Sequence, residues 1–124
     1  MPRILVVDDE PRIADIIEKY LSLNGFEVIK TIGGEKALEF LESGAKIDLM
    51  CLDMRMPKVD GRDIIQKTKE MDKKVPIILL TGSIDAQISL EALKDAGFTE
   101  ADVLYKPVDL PVLLEKIRRK LAAV

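Results

Sequence analysis

The feature that most constrains the fold is a regular alternation of short apolar runs with longer amphipathic segments. The apolar runs are rich in Val, Ile and Leu, as buried strands are, and they cover residues 3–8, 26–31, 47–53, 76–82 and 102–106. The amphipathic segments have apolar residues near helical spacing, and they cover residues 10–25, 34–44, 61–72, 83–97 and 109–123. This alternation predicts an α/β fold, a doubly wound parallel sheet of five strands with helices on both faces.

Composition favours one domain over residues 1–124 and excludes several kinds of function. The chain is 48% hydrophobic and 33% charged, an ordinary globular balance. It contains no histidine, so a His-based catalytic pair and His-ligated zinc are excluded. Its one cysteine, Cys51, lies in an apolar run and is expected to be a buried hydrophobe. The net charge of −3 argues against a nucleic-acid binder that relies on attraction to phosphates, and it leaves a local basic patch open. No signal peptide or membrane-spanning stretch is visible, and we expect a cytoplasmic protein.

Polar residues stand at the ends of four of the predicted strands. They are Asp8 with Asp9, Asp53, Thr81 and Lys106. All strands of a parallel sheet end at the same edge, and ligands of open α/β sheets bind outside that edge. With the strand order 2-1-3-4-5, which we predict, these four strands are neighbours and their five polar residues converge on one pocket.

Three carboxylates in one pocket need compensation. Two unit charges about 4 Å apart repel by about 4 kcal/mol at an effective dielectric constant of about 20. Either one carboxylate is protonated or a cation lies between them. Oxygen ligands without His or Cys favour Mg²⁺, with Mn²⁺ as an alternative. A threonine hydroxyl and a lysine suit a phosphoryl group, and a carboxylate can accept phosphate covalently. The residues therefore indicate a Mg²⁺-dependent aspartyl phosphate.

The segments "VVDDE", "LDMRMPKVDG", "LLTG" and "YKP", in this order, resemble the receiver domain of two-component response regulators. The resemblance covers essentially the whole chain and implies a flavodoxin-like fold close to that of the chemotaxis receiver. It implies that Asp53 is the phosphoacceptor and that Asp8 and Asp9 are the acids of the Mg²⁺ site. The main-chain carbonyl of Arg55 matches the family's third protein ligand.

The resemblance also implies roles for the other strand-end residues. Thr81 would bond a phosphoryl oxygen after phosphorylation, and Lys106 would pair with another. The peptide bond between Lys106 and Pro107 is expected to be cis. The implied function is a phosphorylation-controlled signalling module, not an enzyme with its own substrate. Its implied partners are a sensor histidine kinase or phosphotransfer protein and a downstream protein target. The chain would act as a monomer or a phosphorylation-dependent dimer, either alone or as part of a longer regulator.

Other interpretations compete with this one. Asp8 and Asp9 alone could be an N-terminal cap of the first helix. A Mg²⁺-dependent phosphohydrolase with an Asp nucleophile would use a second acid at the position that Arg55 occupies. A pseudo-receiver would bind partners without phosphorylation, but the full set of acids argues against it.

The chain departs from the family pattern around the predicted switch. The usual aromatic lies three residues before the lysine, where this chain has Val103, and Tyr105 directly precedes Lys106. Either Tyr105 takes over part of the aromatic's role, or switching uses backbone and helix shifts alone, which we favour. The stretch between Gly97 and Lys106 is about two residues longer than is common. Arg55 and Ser83 stand two residues after Asp53 and Thr81, at positions that tune the lifetime of the phosphoryl group in the family.

Overall fold

The computed structural model describes residues 1–71, 74–82, 94–95 and 97–123. The described strands are β1 (Arg3–Asp8), β2 (Glu27–Ile32), β3 (Leu49–Asp53), β4 (Ile77–Thr81) and β5 (Val103–Tyr105). The described helices are α1 (Pro11–Leu23), α2 (Gly34–Glu42), α3 (Gly61–Glu70), α4 (Leu110–Ala122) and a 3₁₀-helix (Glu100–Asp102). The helix predicted over residues 83–97 falls mainly on residues 83–93 and 96, which lie outside the described residues.

The five strands form one parallel sheet in the order β2-β1-β3-β4-β5, which confirms the predicted fold class and strand order. β1 and β3 are neighbours, and their pairing runs to Val7 opposite Leu52. Because the register continues, the next residues of the two strands, Asp8 and Asp53, lie side by side at the carboxyl edge of the sheet.

Two apolar layers cover the sheet, one on each face. Successive residues of a strand point to opposite faces, so Ile4 and Val6 pack in one layer while Leu5 and Val7 pack in the other. α1 and α4 contribute to the first layer, and α2 and α3 contribute to the second. Cys51 is fully buried in the first layer, and burial raises the pKa of its thiol to about 12. Its predicted role as a buried hydrophobe is confirmed.

Local signals in the sequence explain where several helices begin. The Asp60 side chain accepts hydrogen bonds from the backbone N–H groups of Arg62 and Asp63. The Asp63 carboxylate in turn accepts a hydrogen bond from the N–H of Asp60, which completes a capping box for α3. Asp109 caps α4 through the N–H of Val112, at 3.1 Å. Both caps place a helix start just beyond the carboxyl edge of the sheet.

The fifth strand is shorter than the predicted segment 102–106. Asp102 belongs to the 3₁₀-helix instead, because its carboxylate accepts from the N–H of Thr99 and forms a capping box there. Asp102 also pairs with Lys120 of α4. Lys106 lies one residue beyond the end of β5, and its peptide bond to Pro107 is cis as predicted. The longer connection after Gly97 is thus folded as a helical turn against α4.

Candidate functional site

Three acids meet at the carboxyl edge of the sheet. Asp8 ends β1, Asp9 follows it in the loop to α1, and Asp53 ends β3. Each of the three offers an oxygen, and these oxygens lie within 4.8 Å of one another. Asp8 is 0% exposed and Asp53 is 2% exposed, whereas Asp9 is half-buried. The acids predicted to converge therefore do so, with two of them out of contact with solvent.

Backbone groups hold one oxygen of each buried acid. Asp8 Oδ1 accepts a hydrogen bond from the N–H of Glu10 at 2.9 Å, and Asp53 Oδ1 accepts one from the N–H of Arg55 at 3.1 Å. Asp53 Oδ2 is buried and receives no hydrogen bond from any group in the described part of the chain. A buried carboxylate oxygen in that condition is costly, so it marks a position suited to a ligand.

Lys106 lies between the two buried acids. Its Nζ is 3.4 Å from Asp8 Oδ2, with hydrogen-bond geometry, and 3.3 Å from Asp53 Oδ2, at ion-pair distance only. Burial by itself lowers the pKa of Lys106, but the charges of Asp53 and Asp8 outweigh burial and the net pKa is raised. Lys106 is therefore a fixed positive charge at the site.

The pKa of Asp53 is raised from 3.8 to about 7. Burial is the main cause, and the negative charge of Asp8 adds to it. The hydrogen bond from Arg55 and the charge of Lys106 act in the opposite direction without cancelling it. In the absence of a cation, Asp53 would therefore be partly protonated near neutral pH, because burial and a nearby negative charge both disfavour its charged form.

The donor set fits a hard divalent cation. Mg²⁺ takes oxygen ligands and is typically held by one or two carboxylates together with water. Carboxylate oxygens of three acids, Asp8, Asp9 and Asp53, lie close together. Asp53 Oδ2 accepts no hydrogen bond from the described residues, so its lone pairs are available to a metal ion. The single ammonium group of Lys106 does not balance three carboxylates, so a cation would relieve the excess negative charge.

The other predicted residues take different positions. Thr81 ends β4 and is 3% exposed, and its hydroxyl donates to the carbonyl of Gly82 at 3.3 Å. Arg55 is exposed beyond β3, where its N–H holds Asp53. Val103 is buried in the second apolar layer. Tyr105 stands opposite Thr81 in the strand register and is 42% exposed. Pro107 is exposed, and Ser83 lies outside the described residues.

Sequence reasoning missed two contacts of glycines beside the acids. The N–H of Gly33 donates to the main-chain carbonyl of Asp8 at 2.9 Å. Gly61 packs on the residue after Asp53, and a methyl group there would come within 2.6 Å of the Met54 sulfur. The available signals were the pair Gly33–Gly34 at the start of a predicted helix and the Asp60–Gly61 turn. Both were consistent with simple turns, so the signals did not reveal these contacts.

Comparisons with known proteins agree with this geometry. A family model for the response regulator receiver domain matches residues 4–118. The response regulator SaeR of Staphylococcus epidermidis is 41% identical over 93 residues, covering 75% of this chain and 40% of SaeR. The DNA-binding dual master transcriptional regulator RpaA of Synechocystis sp. is 33% identical over 120 residues, covering 95% of this chain and 48% of RpaA. A response regulator receiver domain protein from Clostridium thermocellum superposes with a TM-score of 0.80 at 32% identity, over 100% of both chains.

The chain belongs to the response regulator receiver domain family of two-component systems. Members of this family serve phosphorylation-controlled signalling and are generally not catalysts, and aspartyl phosphorylation and Mg²⁺ are family features. Response regulators interact with histidine kinases and with downstream targets. The chain spans less than half the length of these two curated relatives. None of the helices among the described residues is long and apolar enough to cross a membrane.

Proposed function

We propose that Asp53 accepts a phosphoryl group from the phosphohistidine of a sensor kinase or phosphotransfer protein, with Mg²⁺ held by Asp8, Asp9, Asp53 and the Arg55 carbonyl. The observation that carries the proposal is the state of Asp53. Its carboxylate is buried at the sheet edge with one oxygen lacking a hydrogen bond from the described residues, next to two acids and one lysine. A buried carboxylate with a structural role usually has hydrogen bonds to its oxygens, whereas among the described residues Asp53 Oδ2 has the ion pair with Lys106 and no hydrogen bond.

The chemistry needs few groups from the protein. An Asp53 carboxylate oxygen forms a bond to phosphorus while the bond from phosphorus to the donor imidazole nitrogen breaks, and that nitrogen keeps the electron pair. When bound, Mg²⁺ would offset the charge of the acids and of the phosphoryl oxygens. Lys106 would pair with one phosphoryl oxygen, because its ammonium group already lies 3.3 Å from Asp53 Oδ2.

Thr81 is the proposed link between the site and the partner surface. Its hydroxyl has a weak local bond to the carbonyl of Gly82, which it could exchange for a phosphoryl oxygen. Such an exchange would draw the loop after β4 toward Asp53. We propose that this backbone movement switches the partner-binding surface of a receiver domain comprising residues 1–124.

The proposal is tested by phosphorylation with acetyl phosphate and Mg²⁺, followed by intact mass measurement. The wild type should gain one base-labile phosphoryl group and Asp53→Asn should gain none. Asp48→Asn is the matched control, because Asp48 precedes the same strand but lies at the opposite sheet edge, where it binds the Arg3 N–H. An adduct that persists in Asp53→Asn would contradict the proposal. Steady turnover of p-nitrophenyl phosphate without an adduct would favour the phosphohydrolase.

A further inference from the structure

The turn Gly33–Gly34, which joins β2 to α2, contacts both loops that carry the acids. On one side, the N–H of Gly33 donates to the carbonyl of Asp8 at 2.9 Å. Gly33 has φ of 90°, a left-handed conformation that favours glycine. The turn is therefore attached to the end of β1 at the residue that contributes a buried acid.

On the other side, Gly34 packs against Val59 in the loop between β3 and α3. A methyl group on Gly34 would come within 2.1 Å of the Val59 carbonyl oxygen and within 2.8 Å of two Val59 side-chain carbons. Real Cβ atoms essentially never approach a neighbour closer than 3.0 Å. Gly34 thus lets the backbone of α2 touch the backbone of the loop directly.

The loop that Val59 belongs to is held at both ends. The N–H of Met54 donates to the carbonyl of Leu80 at 2.9 Å, and the N–H of Gly61 donates to the carbonyl of Met54 at 3.1 Å. Lys58, next to Val59, has φ of 66°, which is uncommon for a residue with a side chain. A push on Val59 would therefore deform the short segment between these anchors, and that segment includes Arg55.

We propose that the Gly33–Gly34 turn is a brace that sets the separation between the loop after β1 and the loop after β3, and that Gly34 is a positioning residue for the metal and phosphoryl site. The phosphoryl part of this inference rests on the proposed function, whereas the metal part rests on the acid cluster alone. A Cβ at position 34 would force the loop to move by about 1 Å, from 2.1 Å to an allowed contact. Misplacement on that scale can reduce a rate by about 10²-fold.

The test compares Gly34→Ala with Gly44→Ala. Gly44 follows the other end of α2, has φ of 80°, and would have no described atom within 4 Å of a new methyl group. Both variants are checked for folding by circular dichroism and thermal unfolding. Binding of Mn²⁺ alone is then measured by electron paramagnetic resonance of the free ion. Gly34→Ala should weaken Mn²⁺ binding at least fivefold and slow phosphorylation by acetyl phosphate at least tenfold. Gly44→Ala should lower Tm while Mn²⁺ binding stays within twofold of the wild type.

A second variant keeps the test decisive if Gly34→Ala does not fold. Val59→Gly removes the two side-chain carbons that a methyl group on Gly34 would meet, and it loosens the loop backbone. It should weaken Mn²⁺ binding severalfold. Unchanged Mn²⁺ binding in Val59→Gly, or in a folded Gly34→Ala, would overturn the brace, as would a wild type that binds no Mn²⁺. A wild type that binds Mn²⁺ but takes no phosphoryl group would refute the proposed function and leave the Mn²⁺ comparison to decide on the brace.

Discussion

Charged residues at the two edges of the sheet are in opposite environments. At the amino edge, the Arg3 N–H donates to Asp48 Oδ2 at 2.7 Å, and the Arg3 guanidinium binds Glu27 at 3.1 Å and the Lys46 carbonyl at 3.2 Å. These groups are at the surface, where such pairs are worth little but also cost little. Charge at this edge is matched and solvated.

At the carboxyl edge, negative charge is buried and only partly offset. Asp8 and Asp53 are almost fully buried, Asp9 is close to them, and Lys106 is the ammonium group placed between them. Clusters whose pKa values are shifted by burial and by like charges are typical of functional sites. Burying these charges costs stability at the carboxyl edge, whereas the exposed pairs at the amino edge cost little. This difference leads to four predictions.

The largest effect should come from removing the positive charge of the carboxyl edge. Lys106→Met should slow phosphorylation by acetyl phosphate by about 10²-fold, the usual loss when one group that stabilises developing charge is removed. The initial rate of adduct formation measures it. Lys116→Met is the control, since Lys116 binds the Ala101 carbonyl away from the acids. Equal rates in the two variants would show that Lys106 has no electrostatic role in the transfer.

The next effect concerns stability and its pH dependence. The folded-state pKa of Asp53 is about 7 against 3.8 for the ordinary group, so the folded state binds the proton more tightly than the unfolded state. The stabilising contribution is present below about pH 4 and is lost as pH rises through about 7. The free energy of unfolding of Asp53→Asn should therefore rise relative to that of the wild type as pH increases, by about 1–3 kcal/mol at pH 8.

Urea unfolding at pH 5 and pH 8 with a metal chelator measures this difference. Asp48→Asn serves again as the control, because Asp48 is an exposed acid with a backbone partner and should show no such gain. A difference between the wild type and Asp53→Asn that does not change with pH would contradict the assigned burial cost.

A smaller effect is expected at the amino edge. Arg3→Ala should lower the free energy of unfolding by no more than about 1 kcal/mol, because the pair with Glu27 is exposed. Phosphorylation of Asp53 should proceed at the wild-type rate. If Arg3→Ala slowed phosphorylation, the two edges would be coupled and the contrast between them would fail.

The smallest effect is predicted for Tyr105→Ala. Tyr105 is the register partner of Thr81, and its side chain is 42% exposed. Because so much of the ring is exposed, its truncation removes little buried surface. Phosphorylation-dependent binding of a downstream target should be unchanged in Tyr105→Ala and abolished in Thr81→Ala. Loss of binding in Tyr105→Ala would assign part of the switch to the ring.

Most of the architecture was predictable because its signals are local. Apolar runs and amphipathic segments follow from neighbouring residues, and Asp109, the cap of α4, is the first residue of the predicted helical segment 109–123. The start of β5 was less predictable, because the Thr99–Asp102 capping box and the pair with Lys120 place Asp102 in the 3₁₀-helix rather than in the strand. A local run of apolar residues does not contain that information, since Lys120 comes from another element.

By itself, the sequence determined which residues could form the site, because polar residues that end parallel strands must share an edge. Only the tertiary structure decided how they meet. The open Asp53 Oδ2, the lysine between two acids and the contact of Gly34 with Val59 all depend on side chains and backbone from segments distant in the chain. Such contacts arise when the layers pack, because the distance between two loops is set by the volume between them rather than by the sequence of either loop.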